Sequence, residues 1–351
     1  MKFKKSVRED GGCLLAGKYR SHSVYFLEVF SLTNYREGHF DFSKVFKKLF
    51  PWLIFMKITF LGTGSMVPTP KRNHTAILLS HGNENILVDC GEGTQKQLRI
   101  AKIAPAKITK ILITHWHGDH VLGLPGLIQT LGANEYSKVL DIYGPKGSRE
   151  FIANMFKGFV NEFRIKMRVN EIKEGVFFSS KDFSLEAKML EHSSPCFGYS
   201  FIEADKRNVN INHTKKFGLT RHPILRELQQ GRSITWKGQR ISAEEATTLK
   251  KGKKLTIILD TKFTKSAVEL ARNADLLICE ATLLDELKEK TEEYKHLTTK
   301  QAAEIAKEAG VKKLVITHFS QRYKDTRRLE KEAREVFKET TAAKDLMEMT
   351  F

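Results

Sequence analysis

The rhythm of apolar positions changes at Met56. Up to residue 55, Gly-rich, aromatic and charged pieces follow one another without a sustained period. Beyond it, short β-rich runs alternate with stretches at helical spacing, the pattern of an α/β architecture. Residues 57–61 read as a first strand running into Gly62-Thr-Gly-Ser65. Residues 75–79 and 85–89 read as a hairpin around His81-Gly82-Asn83, which has turn chemistry. A helix is predicted over 94–101, a buried strand over 110–114, a helix over 122–131, a strand over 139–143 and a helix over 148–159. Strands follow at 166–172, 183–190 and 198–203. After an interruption, strands at 256–259, 276–279 and 314–317 alternate with helices near 265–273, 299–309 and 327–337.

Two stretches break the pattern. Residues 1–55 read either as a weakly ordered extension or as translated upstream sequence that the native protein lacks, with the domain proper at 56–351. Residues 203–254 hold 13 Lys or Arg against five Asp or Glu, with glycines at 218, 231, 238 and 252, and read as a basic, partly mobile insertion. The whole chain is basic as well. Its 59 Lys and Arg outnumber 41 Asp and Glu, giving a formal charge of +18, which favours a polyanionic partner.

Other classes fall away. The longest apolar run, 49–56, is interrupted by Pro51 and is far short of the roughly 20 apolar residues that cross a bilayer. A soluble protein with no membrane partner is expected. The four cysteines at 13, 90, 196 and 279 form no CxxC pair, so neither a thiolate zinc site nor a disulfide framework is indicated. A reducing cytoplasm suits them.

The densest chemistry lies in Thr114-His115-Trp116-His117-Gly118-Asp119-His120, directly after an apolar strand. Imidazole nitrogen and carboxylate oxygen are ligands that Zn²⁺ accepts. Alternation in a strand-end loop lets His115 and His117 face one ion while Asp119 and His120 face a second. Three further candidates each close an apolar β run, where a core residue would be expected instead: His192, Asp260 and His318. The isolated His74, His81, His213 and His222, and the cysteines, read as turn, surface or packing residues.

The HxHxDH string matches the signature of the metallo-β-lactamase superfamily, which implies an αββα four-layer sandwich, here with a basic inserted arm. Over about 56–325 the chain resembles ribonuclease Z, the tRNA 3′-processing endonuclease family. Phe60-Leu-Gly-Thr-Gly64, Asp89-Cys-Gly-Glu-Gly-Thr-Gln95, Glu280-Ala-Thr282, His296-Leu-Thr-Thr299 and Thr317-His-Phe-Ser320 carry that resemblance. It implies two Zn²⁺ per subunit, one on His115, His117 and His192, the other on Asp119, His120 and His318, with Asp260 bridging. It implies catalytic roles for Asp119 and for His296, the latter oriented by Glu280. In Pro68-Thr-Pro-Lys-Arg-Asn73, Lys71, Arg72 and Asn73 would meet the RNA, although Pro70 stands where the family commonly has Lys. The basic insertion falls where the family carries its tRNA-binding arm, without the Gly-Pro string often seen there. Precursor tRNA as substrate and a homodimer follow from the same resemblance.

Three other readings compete. A phosphodiesterase for small or cyclic nucleotides would share every ligand yet need no basic arm. A nucleic-acid binder with a vestigial site would not need a complete ligand set. A thioesterase or lactamase would leave the positive charge unexplained.

Overall fold

The computed structural model describes residues 3–7, 13–17, 56–160 and 164–351. The chain divides into two units, Met1–Ile54 and Phe55–Phe351. In the first, strands Phe3–Val7 and Cys13–Gly17 pair antiparallel, with Val7 opposite Cys13. The remainder of the stretch read as an extension lies outside the described residues.

The second unit is built on two seven-stranded sheets. The amino-terminal sheet runs in the order Glu348–Thr350, Lys57–Gly62, Ala76–His81, Glu84–Val88, Lys110–Leu112, Val139–Gly144, Lys166–Glu171. It is antiparallel as far as Glu84–Val88 and parallel from there on. The carboxy-terminal sheet runs Thr340–Ala342, Leu314–Thr317, Leu276–Glu280, Lys254–Ile258, Cys196–Glu203, Phe183–Leu190, Gly175–Ser179. Its first four strands are parallel and the rest antiparallel.

Alternation in the strands decides how the sheets stack. Ile58, Phe60, Ile77, Leu79, Ile86 and Val88 on one sheet meet Leu185, Phe197, Tyr199, Phe201, Ile257 and Ile278 on the other in one buried cluster. Side chains of opposite parity face outward and are covered by helices. Leu98, Leu127, Ile128, Leu131 and Ile152 from three helices close the amino-terminal sheet. Leu270, Ala302, Ile305, Ala306, Leu329 and Ala333 close the carboxy-terminal one. The result is the four-layer αββα sandwich of the metallo-β-lactamase fold. No helix among the described residues is long and apolar enough to cross a membrane.

The insertion carries secondary structure of its own. It stands on a two-stranded stem, Lys206–Val209 against Thr247–Lys250. Above it lie helices Ile211–Lys215, Leu225–Gln229 and Ala243–Ala246 and the hairpin Ile234–Trp236 with Gln239–Ile241. Leu219, Leu228, Ile234, Ile241 and Ala246 bury one another in a small core of their own. Each element supplies only one or two of these residues, too few to show a period. Lys215, Lys216, Arg221, Arg226, Arg232, Lys237 and Arg240 surround that core, most of them exposed.

Candidate metal centre

Six strands that end on the same side deliver the site. Phe183–Leu190, Lys254–Ile258, Leu276–Glu280 and Leu314–Thr317 run in one direction. His192, Asp260, Glu280 and His318 stand at or just beyond their carboxyl ends. From the other sheet, the parallel strands Glu84–Val88 and Lys110–Leu112 release Asp89 and the loop 114–120. Asp89, Asp260 and His318 leave strand geometry with φ of 56°, 30° and 61°, a left-handed region that Asp and His enter more readily than most residues and that gathers at functional sites. The two loops from the amino-terminal sheet touch: Cys90 N donates to His120 O at 2.7 Å. A Cβ on Gly91 would lie 2.4 Å from Asp119 O, so the close approach needs glycine.

The seven residues expected to bind metal come together. His115, His117, His192 and Asp260 form one group and Asp119, His120 and His318 another, with ligand atoms within 4.8 Å of one another in each. Asp260 faces both. Its Oδ2 lies 3.5 Å from His115 Nε2 and 3.8 Å from His192 Nε2; its Oδ1 lies 3.4 Å from His120 Nε2 and 3.2 Å from His318 Nε2. Asp119 Oδ2 is 3.5 Å from the Nε2 atoms of both His120 and His318. His117 Nδ1 is 3.2 Å from His192 Nε2.

The donor set fits divalent cations. Buried polar atoms normally carry a partner, yet His115 Nε2, Asp119 Oδ1, His120 Nε2, Asp260 Oδ1 and His318 Nε2 are buried with no hydrogen bond. The three imidazole nitrogens and Asp260 Oδ1 converge on one another, which is what ligand atoms do around an ion. Electrostatics agree. Burial works against ionisation of Asp260, but the surrounding imidazoles, His318 first, hold its carboxyl well below the usual range. Burial likewise opposes protonation of His120, and the Asp260 and Asp89 carboxylates overcome it and raise its pKa. Burial dominates at His115 and lowers it.

Four of the imidazoles are steered from behind through Nδ1. Asp89 Oδ2 accepts from His120 Nδ1 at 2.7 Å. His115 Nδ1 meets Thr114 Oγ1 at 3.0 Å, and that hydroxyl donates to Asp89 Oδ2 at 2.7 Å. On the other sheet, His318 Nδ1 meets Thr282 Oγ1 at 3.0 Å, and that hydroxyl donates to Glu280 Oε2 at 2.6 Å. His192 Nδ1 donates to Lys295 O at 3.0 Å. A proton fixed on Nδ1 leaves the Nε2 lone pair facing inward, the usual way outer groups set a metal-binding tautomer. Sequence reading assigned no part to Asp89, Thr114 or Thr282. Asp89 does carry the same signal as the ligands, a carboxylate closing an apolar strand.

His296 joins the edge of the cluster. Its Nδ1 lies 3.1 Å from Glu280 Oε1 and 3.9 Å from Asp260 Oδ2. Burial lowers its pKa, but the Glu280 and Asp260 carboxylates outweigh that and raise it to about 9. It shortly precedes helix Thr299–Glu308, which Thr298 and Gln301 open with a capping box.

The loop at 68–73 departs from expectation in part. Lys71 is exposed. Arg72 is only 7% exposed, and its Nη2 donates to Ser320 O at 3.0 Å and Tyr323 O at 2.6 Å. Asn73 N donates to Asp345 Oδ2 at 2.7 Å and its Nδ2 to Glu92 O at 2.6 Å. Arg72 Nη2 and Asn73 Nδ2 thus hold the loop, while Arg72 Nε is buried with no hydrogen bond. Asp345, unremarked in the sequence, also accepts from Thr63 and Gln97 and pins the loop from the far end of the chain.

Known proteins resemble this chain closely. It is 41% identical over 302 residues to ribonuclease Z of Archaeoglobus fulgidus, covering 84% of this chain and 98% of that protein. Ribonuclease Z of Enterococcus faecalis is 38% identical over 300 residues, covering 83% and 96%. The crystal structure of human tRNase Z, short form, superposes with a TM-score of 0.62 at 32% identity, over 84% of this chain and 98% of that one. A family profile described as "Anti-Pycsar protein Apyc1" matches residues 56–214. Relatives of this identity, matched over nearly their whole length, place the chain in the ribonuclease Z family.

Proposed function

We propose that this chain is a zinc-dependent endoribonuclease that removes the 3′ trailer from precursor tRNA, leaving a 3′ hydroxyl on the tRNA and a 5′ phosphate on the trailer. The observation that carries the reading is the position of Asp260, one oxygen toward His115 and His192 and the other toward His120 and His318, in a chain so similar to ribonuclease Z.

In this reading His115, His117 and His192 would hold one zinc ion, Asp119, His120 and His318 a second, and Asp260, which faces both groups, would serve both. When bound, the pair supplies Lewis acidity and lowers the pKa of water. The rest falls to side chains. Asp119 Oδ1, buried without a partner, accepts a proton from the attacking water. His296, kept protonated by Glu280, donates to the 3′ oxygen that leaves phosphorus. Lys71 meets the RNA, while Arg72 and Asn73 keep its loop in shape. The exposed cations of the arm at 203–254 hold tRNA phosphates, a contact that salt weakens. A homodimer acting in the cytoplasm completes the proposal.

The test is a precursor tRNA with a 3′ extension, incubated with the wild type and with His117→Ala. Cleavage just after the discriminator base is expected, with near-total loss in the variant. An uncut precursor beside hydrolysis of small or cyclic nucleotides, by metal-loaded wild type, would favour the phosphodiesterase reading. Removing 204–253 separates the two again, since only tRNA cleavage needs the arm.

A further inference from the structure

A cavity of about 650 Å³ opens beside His117. Its lining is mainly apolar, from Trp116, Phe151, Pro145 and Pro195. The Trp116 and Phe151 rings stack with centroids 5.2 Å apart and planes at 28°. Both are held in place. Trp116 Nε1 donates to Ser148 Oγ at 2.9 Å. Phe151 lies over Gly147, whose φ of +95° suits glycine and where a Cβ would meet the ring at 3.2 Å. Even so, Phe151 is 49% exposed. Its helix, Ser148–Lys157, buries Ile152 and Phe156 instead, so the fold does not need this ring for its core.

Among the described residues, one cation at the rim is free to meet an anion. Glu171 is committed, its Oε1 accepting from Gly147 N and Arg149 N at 3.1 Å each. The rim carries Lys146 and Arg149 against Glu150 and Glu171 in formal balance, with the Glu171 carboxylate turned onto backbone donors. Lys146 is exposed and has no ion-pair partner among the described residues.

A phosphodiester held at the metal cluster has a base one sugar away on either side. We infer that this cavity is a nucleobase subsite: a base adjoining the scissile phosphate lies on the exposed face of Phe151, with Lys146 near the next phosphate. The inference rests on the reading of the chain as an RNA-cutting enzyme. Stacking on a fixed aromatic ring tolerates any base.

The test compares the wild type, Phe151→Ala, Phe151→Tyr and Lys146→Ala on precursor tRNA and on two versions, each abasic at one of the nucleotides flanking the cut. Phe151→Ala should raise KM on the intact precursor by about tenfold or more, Phe151→Tyr should restore it, and Lys146→Ala should raise it less. On one of the abasic substrates Phe151→Ala should add nothing, because the partner is already gone. A KM for Phe151→Ala within twofold of the wild type, or the same loss on all three substrates, would overturn the subsite. Wild type that leaves the intact precursor uncut would defeat the functional reading instead, so the two failures are distinguishable.

Discussion

Glu280 Oε1 lies 3.1 Å from His296 Nδ1, with the carboxylate fully buried and the imidazole at the edge of the metal cluster. Thr261 N and Thr282 Oγ1 also donate to this carboxylate, at 2.7 and 2.6 Å. One buried anion thus orients a metal-facing histidine through Thr282 and sets the proton affinity of another directly.

That relationship predicts a pH profile. As the proposed general acid, His296 would act only while protonated, and its pKa is raised to about 9. Activity should therefore hold through neutral pH and fall as pH rises through about 9. Glu280→Gln removes the charge that raises His296, so the alkaline limb should move to lower pH. His296→Ala should cost about 10²- to 10⁴-fold in kcat and erase that limb. Rates of precursor cleavage across pH check both variants.

Asp89 is fully buried yet steers two imidazoles, His120 directly and His115 through Thr114. Asp89→Asn keeps the left-handed backbone within reach but loses the charge. Metal affinity should fall about 10- to 100-fold, measured by competition with a chelator, without loss of the folded state.

Lys71 and Arg72 are neighbours in opposite surroundings, the first exposed and the second buried. Arg72→Ala removes the donor to the Ser320 and Tyr323 carbonyls, and charged hydrogen bonds of this kind contribute about 1.5–3 kcal/mol each. Its melting temperature should drop by several degrees, at about 2–4 °C per kcal/mol for a domain of this size. Lys71→Ala should melt like the wild type and raise KM alone. Thermal scans with steady-state kinetics separate them.

The arm predicts a salt signature. Replacing Arg221, Arg226 and Arg240 with Ala should lower tRNA affinity at low salt. The dependence of log Kd on log salt should flatten by about 0.9 for each phosphate these side chains no longer neutralise. Binding measured from low to moderate ionic strength gives that slope.

Much of this was legible in the sequence because the candidate ligands are chemically out of place. His192, Asp260 and His318 each interrupt apolar runs at strand ends, and the structure gathers them around His115, His117, Asp119 and His120. The strands Phe183–Leu190 and Leu314–Thr317 fall where alternation or continuous burial puts them. Thr114 and Thr282 were illegible because a relay acts through another residue, and a threonine after a strand is unremarkable. Thr340–Ala342 and Glu348–Thr350 are too short to show a period. Helix Lys288–Tyr294 buries only Thr291 and so has no apolar stripe to read. The resemblance of its loop to the family's assigns Arg72 to RNA, and its contacts with the Ser320 and Tyr323 carbonyls have no sequence signal because those partners lie about 250 residues away.

The most direct measurement is the metal content of the purified, dialysed chain beside that of Asp260→Ala. Two zinc ions per wild-type chain are expected, with marked loss in the variant and cleavage restored to chelated wild type by added zinc. A folded wild type that cuts its substrate at full rate with no bound metal would contradict the account.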